Sequence, residues 1–143
     1  MEWKDLSLSA LAFAIIAQAV HTIGAIATMG YYTDPAYFPL WSAIMMGGGS
    51  GPGMMFYAAS LAFSFLSGLI FAFAYTNVKK SIPGKGLMKG VNFGLLCFLM
   101  VQVTSALTMS LLLAVPATLL IAWAVESLVV FALCGAVFSK VLG

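Results

Sequence analysis

Four long apolar stretches, separated by short polar segments, dominate the pattern of the chain. They cover residues 6–29, 54–76, 91–113 and 117–142. Each exceeds the roughly 20 residues that an α-helix needs to cross about 30 Å of hydrocarbon. We therefore predict an all-α fold: a four-helix transmembrane bundle in which residues 1–143 form one integral membrane domain.

The positions of the lysines predict the orientation of this bundle. Threading the four stretches through a bilayer in order puts all six lysines on one side: Lys4, Lys79, Lys80, Lys85, Lys89 and Lys140. Cytoplasmic segments of membrane proteins are enriched in lysine and arginine. Both termini and the 77–90 loop are therefore predicted to be cytoplasmic, with the chain in the inner (cytoplasmic) membrane of the cell.

The composition excludes several classes of protein. Hydrophobic residues make up 63% of the chain and charged residues 7%, whereas about a quarter of the residues in a soluble domain are charged. The sequence contains no arginine and no basic stripe, so no nucleic-acid partner is expected. The expected surroundings are the lipid bilayer, together with further copies of the chain or other membrane subunits.

The connection over residues 30–53 lies on the side opposite the lysines and is rich in aromatic side chains. These are Tyr31, Tyr32, Tyr37, Phe38 and Trp41. Tyrosine and tryptophan are enriched where a membrane meets water. We therefore expect a short interfacial helix over residues 36–46.

Small side chains recur at near-helical spacing in the second apolar stretch. They are Ser60, Ser64, Ser67 and Gly68. Because small residues allow two helix backbones to approach closely in a membrane, we predict that these four residues pack against a neighbouring helix.

Polar residues inside the apolar stretches are the candidate functional residues. Glu126 lies near the middle of the fourth stretch, where a carboxylate has to be paired, hydrated or protonated. Counting helical turns places His21, Gln18 and Gln102 at a similar depth. We predict that these four residues form one intramembrane polar cluster with Ser105 nearby, a prediction that uses depth alone and assumes lateral proximity.

Two interpretations of this cluster remain open. An intramembrane ionisable residue such as Glu126 indicates a pathway for protons or cations. The same side chains can also form a hydrogen-bonded lock that holds the helices in register or binds a partner subunit.

His21, the only histidine, is also a candidate axial ligand for a haem or chlorin. The second ligand would be His21 of another copy of the chain, or Met109. The alternative is a neutral imidazole that is hydrogen-bonded to Glu126 or Gln18. Methionines cluster near the outer side, but without the regular spacing of a copper motif, so we expect no metal or other cofactor.

The sequence contains no complete catalytic motif. Paired carboxylates, an HExxH motif and a cysteine cluster are all absent from it. Cys97 and Cys134 lie inside apolar stretches, where we interpret them as small buried hydrophobic residues. We therefore predict that the protein is not an enzyme.

Several loose motifs occur together in this chain. They are the segment from Asp34-Pro35 to Trp41, the stretch YTNVKKSIPGKGLMKGVNFG over residues 75–94, Trp123, and Gly135. In these features the chain resembles a family of small uncharacterised four-helix integral membrane proteins of bacteria and archaea. The resemblance implies the four-helix layout with both termini inside, and it implies no activity and no functional residue.

The sequence favours a non-enzymatic structural or accessory subunit of a membrane complex or homo-oligomer. The reason is the lack of any complete catalytic, metal or nucleotide motif. One alternative is a small transporter or channel for protons, cations or a small solute that uses Glu126 and His21. A second alternative is a haem- or pigment-binding membrane subunit that uses His21.

Overall fold

The computed structural model describes residues 2–46 and 51–143, and within these ranges it contains helices and no β-strand. Four helices are long: α1 (Trp3–Ala27), α2 (Met54–Val78), α3 (Gly86–Leu112) and α4 (Ala117–Val141). Each is long and apolar enough to cross a membrane. The predicted all-α fold with four long apolar helices is therefore confirmed, and it indicates a multi-pass membrane protein.

The four helices pack side by side in a row, and the two helices at its ends also contact each other. α2 packs on α1, α1 packs on α4, and α4 packs on α3. The two outer members of this row, α2 and α3, meet near their connecting loop, where the rings of Tyr75 and Phe93 lie 5.1 Å apart.

Both chain ends lie beside that loop. Lys79 Nζ donates a hydrogen bond of 2.6 Å to the carbonyl oxygen of Leu142. Glu2 and Asp5 line a cleft together with Lys79. We call this the lysine end of the bundle; that it faces the cytoplasm stays a prediction.

A cluster of phenylalanines joins α1, α2 and α4 in the half of the bundle near the lysine end. The rings of Phe71 and Phe131 lie 5.0 Å apart in an edge-on arrangement, and the ring of Phe13 lies 5.7 Å from that of Phe71. Such ring contacts stabilise a core beyond the burial of apolar area. They hold α1, α2 and α4 together beneath the polar residues described below.

The closest helix packing joins α3 and α4 and depends on three glycines. A Cβ atom added to Gly90 would lie 1.9 Å from the carbonyl oxygen of Gly135, and one added to Gly94 would lie 2.0 Å from that of Phe131. Gly90 and Gly94 form a GxxxG motif, the pattern that allows membrane helices to approach closely. These glycines were not among the predicted packing residues.

The predicted packing residues of α2 have two different surroundings. Gly68 is buried against α1, where an added Cβ would lie 2.8 Å from the Cα atom of Ala10. Ser60, Ser64 and Ser67 line a cavity between the helices. Gly68 therefore allows the close approach of α1 and α2, and the three serines border open space.

The single short helix expected over residues 36–46 is not formed. The chain instead forms a 3₁₀ helix over Pro35–Leu40 and one α-helical turn over Ala43–Met46. Pro39 lies inside the first of these and cannot donate a backbone hydrogen bond, which prevents a continuous α-helix. The side chain of Asp34 accepts a 2.9 Å hydrogen bond from Ala36 N and so caps the 3₁₀ helix.

Candidate functional site

His21 and Glu126 form a direct pair between α1 and α4. His21 Nδ1 lies 2.8 Å from Glu126 Oε2. This distance requires one proton between the two atoms. Either the imidazole Nδ1–H donates to a carboxylate, or a protonated carboxyl donates to the Nδ1 lone pair. In both cases the carboxyl group at the centre of α4 has a hydrogen-bond partner.

Gly24 makes room for the carboxyl group of Glu126. The Glu126 side chain is only 11% exposed. A Cβ atom added to Gly24 would lie 1.9 Å from Glu126 Oε1. Gly24 comes three residues after His21, so both residues lie on the same face of α1 and enclose the carboxyl group from one side.

Gly24→Ala is expected to displace the carboxyl group and weaken its bond to His21 without unfolding the bundle. The added methyl group meets the end of a flexible side chain, which can rotate away. We expect a net loss of about 1–2 kcal/mol in the free energy of unfolding, since the lost hydrogen bond outweighs the gain in helix propensity. Reversible unfolding in mixed micelles measures this loss in the free energy of unfolding. Gly30→Ala is the control, because nothing lies within 4 Å of its added Cβ; equal effects would contradict the prediction.

Gln18 and Gln102 join other helix pairs instead of the His21–Glu126 pair. Ser60 Oγ donates a 3.2 Å hydrogen bond to Gln18 Oε1, which connects α2 to α1. Ser127 Oγ donates a 3.0 Å hydrogen bond to Gln102 Oε1, which connects α4 to α3. The structure thus places one polar side-chain pair at each of the three helix interfaces.

Gln102 lies in an unusual part of α3. Residues Phe98–Val103 form a π-helical segment within α3. Such segments are rare, and they occur frequently at functional sites because they redirect side chains. Ser105, which was predicted to lie near the cluster, is half-buried and makes no hydrogen bond within the part of the chain that the structure describes.

A cavity of about 570 Å³ lies between the four helices. All four contribute polar side chains to its lining: His21, Ser60, Ser64, Ser67, Gln102 and Ser127. Most of the remaining lining is apolar and includes Phe13 and Phe131. Its volume and its mixture of an apolar wall with a few polar groups are typical of sites that bind small molecules.

The imidazole of His21 is the part of the pair that borders this cavity. Its side chain is 48% exposed. Nδ1 contacts Glu126, and Nε2 makes no hydrogen bond within residues 2–46 and 51–143. If Glu126 is ionised and Nδ1 carries the proton of a neutral imidazole, Nε2 accepts hydrogen bonds; if Glu126 is protonated and donates to Nδ1, the neutral imidazole carries its own proton on Nε2, which donates. The second state holds one proton more than the first, so uptake of a proton by the pair changes Nε2 from a hydrogen-bond acceptor to a donor.

An aromatic cluster joins the 30–46 connection to α4, one turn before Glu126. Trp123 Nε1 donates a 3.2 Å hydrogen bond to the hydroxyl of Tyr32. The ring of Trp41 lies 4.9 Å from that of Tyr32 and 6.2 Å from that of Trp123. Tyr31 and Thr118 are also hydrogen-bonded. These contacts hold the 30–46 connection against α4 at the end of the bundle opposite the lysines, close to the His21–Glu126 pair.

Comparison with protein families, curated proteins and solved structures finds no match to this chain. The resemblance to small four-helix proteins of bacteria and archaea stays a prediction.

The described part of the chain does not assemble a set of ligands for a metal ion. Among the described residues, no group of three or more His, Cys, Asp or Glu side chains could hold one. Met109 does not line the cavity at His21, so these two potential haem ligands are not brought together there. Cys97 and Cys134 are buried free thiols.

Proposed function

We propose that the protein is a small, non-enzymatic membrane carrier that takes up a proton at the His21–Glu126 pair and a small solute in the adjoining cavity. The observation that supports this proposal is the position of His21. One ring nitrogen bonds a buried carboxyl group, and the half-exposed ring borders a largely apolar cavity that contains a few polar groups. A hydrogen-bonded pair with a purely structural role does not need open space beside its imidazole. A proton site, in contrast, needs a route by which the proton reaches and leaves it.

The proposal includes an orientation in the inner membrane. The lysine end would face the cytoplasm, in keeping with the enrichment of lysine in cytoplasmic segments. The aromatic cluster of Tyr32, Trp41 and Trp123 would then lie in the outer interface, where tyrosine and tryptophan are enriched. In this arrangement His21 and Glu126 lie between the membrane centre and the outer surface.

Proton flux into proteoliposomes tests the proposed function. With a pH-sensitive dye inside and a potassium diffusion potential across the membrane, wild-type protein should acidify the vesicles faster than vesicles without protein. Glu126→Gln should lower the rate to that of empty vesicles, because the amide cannot release a proton. Glu2→Gln makes the same chemical change at an exposed end of α1 and should leave the flux unchanged.

Two results of this experiment would contradict the proposal. One is a wild-type rate equal to that of empty vesicles. The other is a flux that survives Glu126→Gln.

An accessory subunit of a membrane complex is the second candidate function. It is favoured by the polar pair at each helix interface, which would hold the bundle in register. Leu99, Leu107 and Leu111 on α3 are also exposed, on a surface that could contact another subunit. Purification from the native membrane in mild detergent, followed by native mass measurement, tests this candidate: a lone monomer without a co-purifying partner would count against it.

A further inference from the structure

The cavity opens sideways between α2 and α3. These two helices are the outer members of the helix row and do not pack together along their length. The rim residues Phe63 on α2 and Val101 on α3 are 70% and 42% exposed. Both lie within helices long enough to span a membrane, so the opening faces acyl chains instead of water.

The polar groups of the cavity are neutral hydrogen-bonding groups. Ser64 and Ser67 make no hydrogen bond within the described ranges, so their hydroxyls are available to a ligand. Gln102 Oε1 accepts from Ser127, which leaves the amide N–H groups of Gln102 free to donate. His21 Nε2 adds one further group that accepts or donates.

Among the described residues, the lining has no charged side chain apart from His21, whose charge would be balanced by Glu126. A charged ligand would therefore have no counter-charge of its own in an apolar environment, which is costly. Much of the apolar wall is aromatic, and it is built from Phe13, Phe56, Phe63, Phe71 and Phe131. A ligand with an apolar body fits this wall.

We propose that the cavity binds a neutral, lipid-soluble molecule with a hydroxyl or carbonyl head group, and that this molecule enters from the lipid between α2 and α3. Its head group hydrogen-bonds to Ser64 and Gln102, and its body lies among the phenylalanines. This inference rests on the proposed function for the role of the cavity as a solute site, and it names the class of solute.

Two matched photoreactive probes test the inference in proteoliposomes that contain the full chain. One is a long-chain alcohol with a diazirine in its chain, and the other is the same diazirine hydrocarbon without the hydroxyl. We expect the alcohol to label cavity-lining residues about fivefold more than the hydrocarbon, the size expected for one hydrogen bond. Unlabelled alcohol should compete with this labelling, and mass spectrometry locates the labelled residues.

Variants identify the groups that recognise the head group. Ser64→Leu fills part of the cavity and should remove the preference for the alcohol. Gln102→Leu provides a second variant at another helix, in case the first does not fold. Ser110→Leu makes the matched change at an exposed serine of α3 that is not in the cavity lining, and it should leave the labelling unchanged.

Equal labelling by both probes, or labelling that unlabelled alcohol does not reduce, would overturn the inference, because both results mean contact with bulk lipid only. Retention of the preference in both Ser64→Leu and Gln102→Leu would also overturn it. The two proposals can fail separately. Glu126-dependent proton flux without any alcohol preference would remove this inference and leave the carrier function in place.

Discussion

Gly135→Val is expected to separate α3 from α4, so that most of the protein no longer folds. A Cβ atom at residue 135 would lie 2.1 Å from the carbonyl oxygen of Gly90 and 3.1 Å from the backbone nitrogen of Gly94. These are backbone atoms, which cannot rotate away as a side chain does. Overpacking of this kind costs about 3 kcal/mol or more, a large part of the stability of a typical domain.

The yield of monodisperse protein in detergent and the free energy of unfolding in mixed micelles measure this effect. Gly53→Val is the matched control. It introduces the same side chain where no atom of the described residues, apart from its chain neighbours, lies within 4 Å of the added Cβ and where φ is −86°, a value that valine adopts readily. If Gly135→Val were as stable as Gly53→Val, the close contact of α3 with α4 would be wrong.

Replacing His21 alone is expected to cost more stability than replacing His21 and Glu126 together. His21→Leu leaves a buried carboxyl group without its partner, which costs about 2 kcal/mol. Adding Glu126→Leu removes that orphaned group, so the double variant should regain most of the loss. Glu126→Leu alone should cost less than His21→Leu, because the half-exposed imidazole can bind water in the cavity.

A double-mutant cycle measures this coupling from four unfolding free energies. We expect the double variant to be more stable than the sum of the single effects predicts, by about 1–2 kcal/mol. Strictly additive effects would show that the two side chains do not interact in the folded protein.

Hydropathy predicts where the chain can lie in lipid, and it is less informative about where each helix ends. The apolar pattern located all four long helices. However, α3 begins at Gly86, before the apolar stretch over residues 91–113, because a helix continues into polar residues such as Lys89 at a membrane surface. The prediction of a single short helix over residues 36–46 was wrong, because Pro39 interrupts it.

The depth argument placed His21 and Glu126 at a similar level, and the structure brings them within hydrogen-bonding distance. Depth could not show which helices are neighbours. For this reason Gln18 and Gln102 were assigned to a single cluster, whereas they bond Ser60 and Ser127 at other interfaces. The π-helical segment around Gln102 has no comparable signal in the apolar pattern, since that pattern is continuous through it.

Small residues gave an ambiguous signal. Glycine and serine allow close helix packing, but they also leave open space where no helix approaches. The GxxxG spacing of Gly90 and Gly94 was available in the sequence as a sign of close packing. Gly24 carries a similar signal, because it lies three residues after His21 on the same helix face. The serines of α2 carry the same kind of pattern and line the cavity.

The central claim is that the imidazole of His21 shares a proton with a buried carboxyl group. Because the chain has a single histidine, solid-state NMR of the ¹⁵N-histidine-labelled protein in lipid bilayers reports this site alone. We predict a Nδ1 signal typical of a strong hydrogen bond that shifts in Glu126→Gln and stays in place in Glu2→Gln. Imidazole signals that are identical in wild-type and Glu126→Gln protein would contradict the claim.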